Sequence, residues 1–184
     1  MLDEVDIITG VSGGSFTALA YGLYGEKLFD QYEKRFLKRN VQGELISRFF
    51  NPTKWGALNS TGWGRSELAA QLYDEILFEG ATFADLDRGG GPMITVVATD
   101  ISTGSRLAFT QGVFDSLCSD LGPFPLSRAA ARAARRLREF EGYSDSIRRP
   151  FIHLVDGGVS DNLGLRGVLE VIEAFEALHS LGQP

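Results

Sequence analysis

A single serine stands among glycines in Gly10-Val11-Ser12-Gly13-Gly14, between an apolar run and a helix-like segment. Gly-x-Ser-x-Gly set between a strand and a helix is the pattern of a nucleophile elbow. A hydroxyl nucleophile has to project from a sharp turn, and neighbours without side chains let strand and helix crowd together there. The helix start then aims free backbone N–H groups and a partial positive charge at the reacting atoms. The N–H of Gly13 is a natural oxyanion donor, with Gly10 and Gly14 completing the elbow. The competing reading is a glycine-rich turn whose serine merely caps the helix. A phosphate-binding loop is the poorer reading, because neither Gly-Lys-Ser/Thr nor GxGxxG is present.

A serine hydroxyl needs a base. The chain has two histidines, His153 inside Phe-Ile-His-Leu-Val and His179 near the end of the last helical segment. The first reads as a strand residue, and the second as a complement to a helix C-terminus. The order Ser12, Asp156, His179 nonetheless matches the serine, acid, histidine order of α/β-hydrolases, so a triad remains open. Asp156 ends an apolar run and is followed by Gly157 and Gly158, which let a backbone or substrate come close. An exposed carboxylate is a weak base at neutral pH, and burial against apolar groups makes it more useful. Asp-Gly-Gly is also a good plain turn.

The elements that must carry these residues follow from apolar patterning. Val5–Thr9 and Phe151–Val155 read as short buried strands, and Met93–Thr99 as a longer one. Arg106–Thr110 is the expected partner strand of Met93–Thr99. Helices are expected over Ser15–Tyr24, Lys27–Lys38, Glu67–Leu77 (with Ser66 as cap and Leu68, Leu72, Ile76 and Leu77 inward), Ser127–Glu141 and Leu165–Leu178. Strands alternating with helices predict an α/β sheet covered by helices on its faces. With no repeat and no linker, residues 1–184 read as a single domain.

The net charge of −6 argues against a nucleic-acid partner. The single cysteine, Cys118, can form neither an internal disulfide nor a CxxC metal site. No apolar run has the length of a membrane span and no signal segment is present, so localisation stays undefined. Arg128, Arg132, Arg135 and Arg136 share a helical face, with Arg138, Arg148 and Arg149 nearby. That face is either simply solvated or meets anionic lipid headgroups as a peripheral contact. Trp55 and Trp63 read as packing into loops.

Gly10-Val11-Ser12-Gly13-Gly14 and Asp156-Gly157-Gly158 together resemble the patatin-like phospholipase family. The resemblance extends through Thr99–Thr110, Phe114–Leu121, Pro125-Leu126-Ser127-Arg128-Ala129 and His153–Gly164. It implies a patatin-like α/β sheet, a lipid substrate, and a Ser12–Asp156 dyad without histidine, metal or cofactor. Gly157 and Gly158 would support the dyad. Two departures stand out. The family's glycine-rich oxyanion loop, Gly-Gly-Gly-x-Arg/Lys, follows a first strand upstream of the serine, and both are expected to be missing from this chain. Gly89-Gly90-Gly91 is out of position for that loop, and Pro92 removes a donor. The segment between Ala129 and His153 also reads as shortened. The implied activity is cleavage of phospholipid, lysophospholipid or neutral-lipid esters. A Ser–Asp–His triad esterase and a catalytically silent, lipid-binding remnant are the alternatives.

Overall fold

The computed structural model describes residues 4–50, 65–87, 91–100, 104–133 and 154–156, together with 165, 168–169, 172–173 and 176. Strand β1 (Ile7–Val11) runs parallel to β2 (Met93–Asp100), with Ile7 opposite Met93 and Val11 opposite Val97. Strand β3 (Arg106–Ala108) is antiparallel to β2 and pairs Val97 with Ala108 and Thr99 with Arg106. Strand β4 (Leu154–Asp156) is also antiparallel to β2, pairing Ala98 with Asp156 and Asp100 with Leu154. Each β2 residue has two edges. Since β3 occupies one of them at Val97 to Thr99, β1 and β4 must share the other, β1 along its first part and β4 along its last.

β2 earns its central place by composition. Every residue after Met93 is buried, as a near-continuous apolar, β-branched run requires when both faces are covered. The expected strand over Met93–Thr99 thus forms with one further residue. The expected Arg106–Thr110 strand is shorter: beyond Ala108 the Phe109 N–H still bonds the Val96 carbonyl, and the chain then enters a helix at Gln111. Its first-strand counterpart lies later than expected, at Ile7–Val11 rather than Val5–Thr9. Gly10 and Val11 belong to the ladder, and the turn is confined to Ser12. The strand expected over Phe151–Val155 is described over Leu154–Asp156, so Asp156 is a ladder residue and not a turn residue.

Helix α1 (Gly13–Tyr24) follows at once and buries Phe16, Ala18, Leu19 and Ala20. They join Ile94, Val96 and Ala98 of β2 in the main core. Helix α2 (Leu28–Tyr32) continues through a wider turn, Glu33–Leu37, close to the expected Lys27–Lys38 segment. Helix α3 (Val41–Phe49) is capped by Asn40, whose side chain accepts from the Gly43 N–H. Helix α4 (Arg65–Tyr73) is prolonged by Asp74–Phe78, and Leu68, Leu72, Ile76 and Leu77 are all buried, as their spacing predicts. A short α5 (Phe83–Leu86) starts in a reciprocal cap between Thr82 and Asp85. Helix α6 (Gln111–Ser116) follows β3. Helix α7 (Leu126–Ala133) packs on α1, α4, β2 and β4. Its Ala129 and Ala130 are fully buried, and side chains this small let α7 lie close to its neighbours.

Phe83, Phe109, Phe114 and Phe124 form an aromatic cluster with ring centroids 5.7 to 6.5 Å apart. It fixes the β3–α6 side of the sheet. Phe16, Phe36 and Tyr73 make a second cluster against α1. Residues 165, 168–169, 172–173 and 176 are helical, within the expected Leu165–Leu178 helix. Its apolar stripe of Leu165, Val168, Leu169 and Ile172 is exposed.

The contact between β1 and α1 is the tightest in this region. A Cβ added at Gly10 would stand 2.8 Å from the Ser15 Cα, and 3.0 Å from the Ala18 Cβ. Backbone cannot yield as a flexible side chain can, so Gly10→Ala should destabilise the fold by about 1–3 kcal/mol. Urea unfolding measures this, and a loss under about 0.5 kcal/mol, the usual range for an uncrowded surface site, would show that β1 and α1 are not held this closely.

Candidate active site

Ser12 is the single residue between β1 and α1, and it carries the turn. Its backbone has φ 51° and ψ −124°, in a region that residues with a side chain rarely occupy. Such a conformation costs roughly 1–3 kcal/mol and persists only where the surroundings enforce it. Here the β1 ladder enforces it on one side and the buried start of α1 on the other. The strain falls on the serine itself and not on Gly10, Gly13 or Gly14, none of which has a positive φ.

Ser12 stands at the N-cap position of α1, yet its side chain makes no capping bond. Its Oγ donates instead to Asp156 Oδ2 at 2.7 Å, across 144 residues of sequence. This is a short, well-formed O–H···O contact. The capping reading of this serine is therefore not the conformation adopted. Both residues are half-buried, neither sealed in the core nor fully in water.

The shared β2 edge explains the meeting. Val11, last in β1, is opposite Val97, and Asp156, last in β4, is opposite Ala98. β1 runs with β2 and β4 runs against it, so their C-terminal ends approach each other head-on along one edge. Asp156 is the last residue of β4, and the antiparallel run of β4 points that end at the end of β1.

The first amides of a helix have no intrahelical acceptor, and those of Gly13 and Gly14 open α1 beside the Ser12 hydroxyl. Ser15 N–H closes the first turn onto the Ser12 carbonyl at 3.1 Å. Gly13 and Gly14 are both exposed, and a Cβ added at either would meet nothing within 4 Å among the described residues. The described packing thus does not demand glycine there, in contrast to Gly10.

Thr99 is a participant that the sequence reading passed over. Its Oγ1 donates to the main-chain carbonyl of Asp156 at 3.0 Å, and the residue is wholly buried. The available signal was a hydroxyl inside an otherwise apolar strand, one position before the polar end at Asp100.

Other candidates fall elsewhere. Gly157, Gly158, His153, His179, Trp55, Trp63, Arg135, Arg136, Arg138, Arg148 and Arg149 lie outside the described residues. Arg128 is engaged with Glu67 of α4 at 2.5 Å, a half-exposed pair that ties α7 to α4 and contributes at most about 1 kcal/mol. Gly91 and Pro92, at the end of the triple-glycine segment, adjoin the start of β2. They line a cavity of about 530 Å³ with Phe83, Leu86, Met93 and Phe109. At about 3.3 Å per strand residue, the five-residue interval from Met93 to Ala98 puts the start of β2, and Gly91 before it, roughly 16 Å from the Ser12 end. Position therefore rules Gly91 out as an oxyanion donor to Ser12. Among the described residues, no three His, Cys, Asp or Glu side chains cluster as a metal ion would require.

The class defined by fold and site is an α/β protein with a mixed sheet, helices packed upon it, and a strained serine at a strand-to-helix elbow. The chain belongs to the patatin-like phospholipase family, whose model matches residues 1–169. Membership places it among hydrolases that act on lipids. No match was found among curated proteins.

Gly14→Ala should leave folding stability unchanged or raise it by up to about 1 kcal/mol, since alanine is the better helix former and meets nothing. Chemical denaturation beside Gly10→Ala checks this. A clear destabilisation would mean that the helix start is crowded after all.

Proposed function

We propose that this chain is a serine lipid acyl hydrolase working through a Ser12–Asp156 dyad, with residues 1–184 forming one catalytic domain. The observation that carries the proposal is the 2.7 Å bond from Ser12 Oγ to Asp156 Oδ2, made by a serine held in a strained turn at the start of a buried helix. A capping or structural serine has no need of that strain. The family to which the chain belongs supplies the substrate class.

In the proposed reaction Ser12 Oγ attacks the acyl carbonyl carbon while Asp156 accepts the hydroxyl proton. The carbonyl oxygen becomes the oxyanion, held by the N–H groups of Gly13 and Gly14 in the field of the α1 N-terminus. Collapse breaks the ester C–O bond. The alcohol leaves with the proton from Asp156, and Ser12 carries the acyl group. Water then gives a proton to Asp156 and attacks the acyl-serine. The fatty acid departs, and the proton returns to Ser12 Oγ. No step requires a metal or cofactor.

The exposure of Gly13 and Gly14 supports a bulky ester that meets the site from a lipid surface, which makes the chain a peripheral partner of that surface. Among the described residues no helix is long and apolar enough to cross a membrane. Exposed Phe29, Leu37, Ile46 and Phe50 add apolar area that suits such contact.

Labelling with a fluorophosphonate probe, read by intact mass, tests the dyad. One adduct is expected on the natural chain and none on Ser12→Ala or Asp156→Asn. Ester turnover should fall by roughly 10⁴-fold or more in both variants, while His179→Ala keeps the natural rate. Loss of turnover in His179→Ala would replace the dyad with a triad. Failure of the folded natural chain to react at Ser12 would reduce it to a silent lipid-binding form of the fold.

A further inference from the structure

We infer that Thr99 is a positioning residue that sets the carboxylate of Asp156 against Ser12, an inference that rests on the dyad reading above. Asp156 ends a described strand of three residues, and that strand is held by β2 along one edge. In that pairing Asp156 is opposite Ala98.

Thr99 restrains this residue from the interior of the sheet. It lies in the interior of β2, paired on one edge with Arg106 and on the other with Val155, and no part of it reaches solvent. From that fixed point its Oγ1 donates to the carbonyl oxygen of Asp156 at 3.0 Å. The bond fastens the peptide that follows Asp156 and so the direction in which the Asp156 side chain leaves the backbone. The same side chain must put Oδ2 2.7 Å from Ser12 Oγ. β-branching restricts χ1 of Thr99, so the hydroxyl is pre-aimed. Ser12 is likewise fixed by its turn, and the two reacting groups are thus referred to neighbouring positions of one strand. Thr99 touches neither substrate nor the transferred proton and acts through Asp156 alone.

The test compares Thr99→Val, Thr99→Ser and Thr99→Ala in the full chain, with Ser12→Ala and Asp156→Asn alongside. The readouts are kcat and KM on a p-nitrophenyl acyl ester and the rate of fluorophosphonate labelling. Misplacing a reacting group by about 1 Å costs up to about 100-fold, so Thr99→Val should lower kcat and labelling rate roughly 10–100-fold with KM little changed. Thr99→Ser keeps the hydroxyl and should restore most of the natural kcat. Thr99→Ala differs from Thr99→Ser only by that oxygen and should fall with Thr99→Val. The Ser and Ala pair decides the matter even if Thr99→Val does not fold. Equal kcat in the folded Ser and Ala variants, or a loss seen in KM alone, overturns the inference. If Ser12→Ala or Asp156→Asn keeps full activity, the dyad reading itself fails. If both are inactive while Thr99→Ala has natural kcat, the positioning role alone is refuted.

Discussion

One strand edge holds this site together. β2 offers the same edge to β1 over Met93 to Val97 and to β4 over Ala98 to Asp100. Because one partner is parallel and the other antiparallel, their C-terminal ends converge, and Ser12 and Asp156 face each other where they meet. Moving either strand by one residue would turn its side chains to the opposite face of the sheet and part the hydroxyl from the carboxylate. Ile8 of β1 and Leu154 of β4 pack against the main core, and a shifted register would turn them away from it, which opposes such a slip.

The strained serine depends on the same frame. Its backbone conformation costs roughly 1–3 kcal/mol. What offsets it is the docking of α1, where Phe16 and Leu19 are buried against the sheet. Burial of these two side chains contributes about 1.5–3 kcal/mol each, more than the strain takes away. Gly10 makes that docking close, since its bare Cα lets the helix backbone lie against β1. Gly10 is thus a glycine of the fold, whereas Gly13 and Gly14 are exposed glycines. A motif that reads as one unit in sequence divides into two physical roles.

The placement of space follows the same logic. The cavity of about 530 Å³ is at the opposite end of β2, lined by Met93 and Ile94 and by Phe83 and Phe109 of the phenylalanine cluster. At the serine end, Gly13 and Gly14 are exposed and Ser12 is half-buried.

Much of the scaffold was legible from local pattern alone. The run Met93–Thr99 announced a strand buried on both faces, the spacing of Leu68, Leu72, Ile76 and Leu77 announced the inward face of a helix, and Gly10 to Gly14 joined to Asp156-Gly157-Gly158 announced the family. Each is a short-range signal, set by periodicity or by residue types a few positions apart. Element ends were less legible. β1 shifts to Ile7–Val11 because its limits are set by its partner on β2 and not by its own composition. The role of Ser12 could not be read locally, since a capping serine and an elbow serine have the same neighbours. Only the carboxylate brought from 144 residues away separates them. The antiparallel course of β4 and the grip of Thr99 on Asp156 are equally matters of tertiary structure. Sequence determined which residues could do chemistry, and pairing on a common strand decided which of them meet, because contact between distant residues is fixed by strand direction and register, to which no local pattern is sensitive.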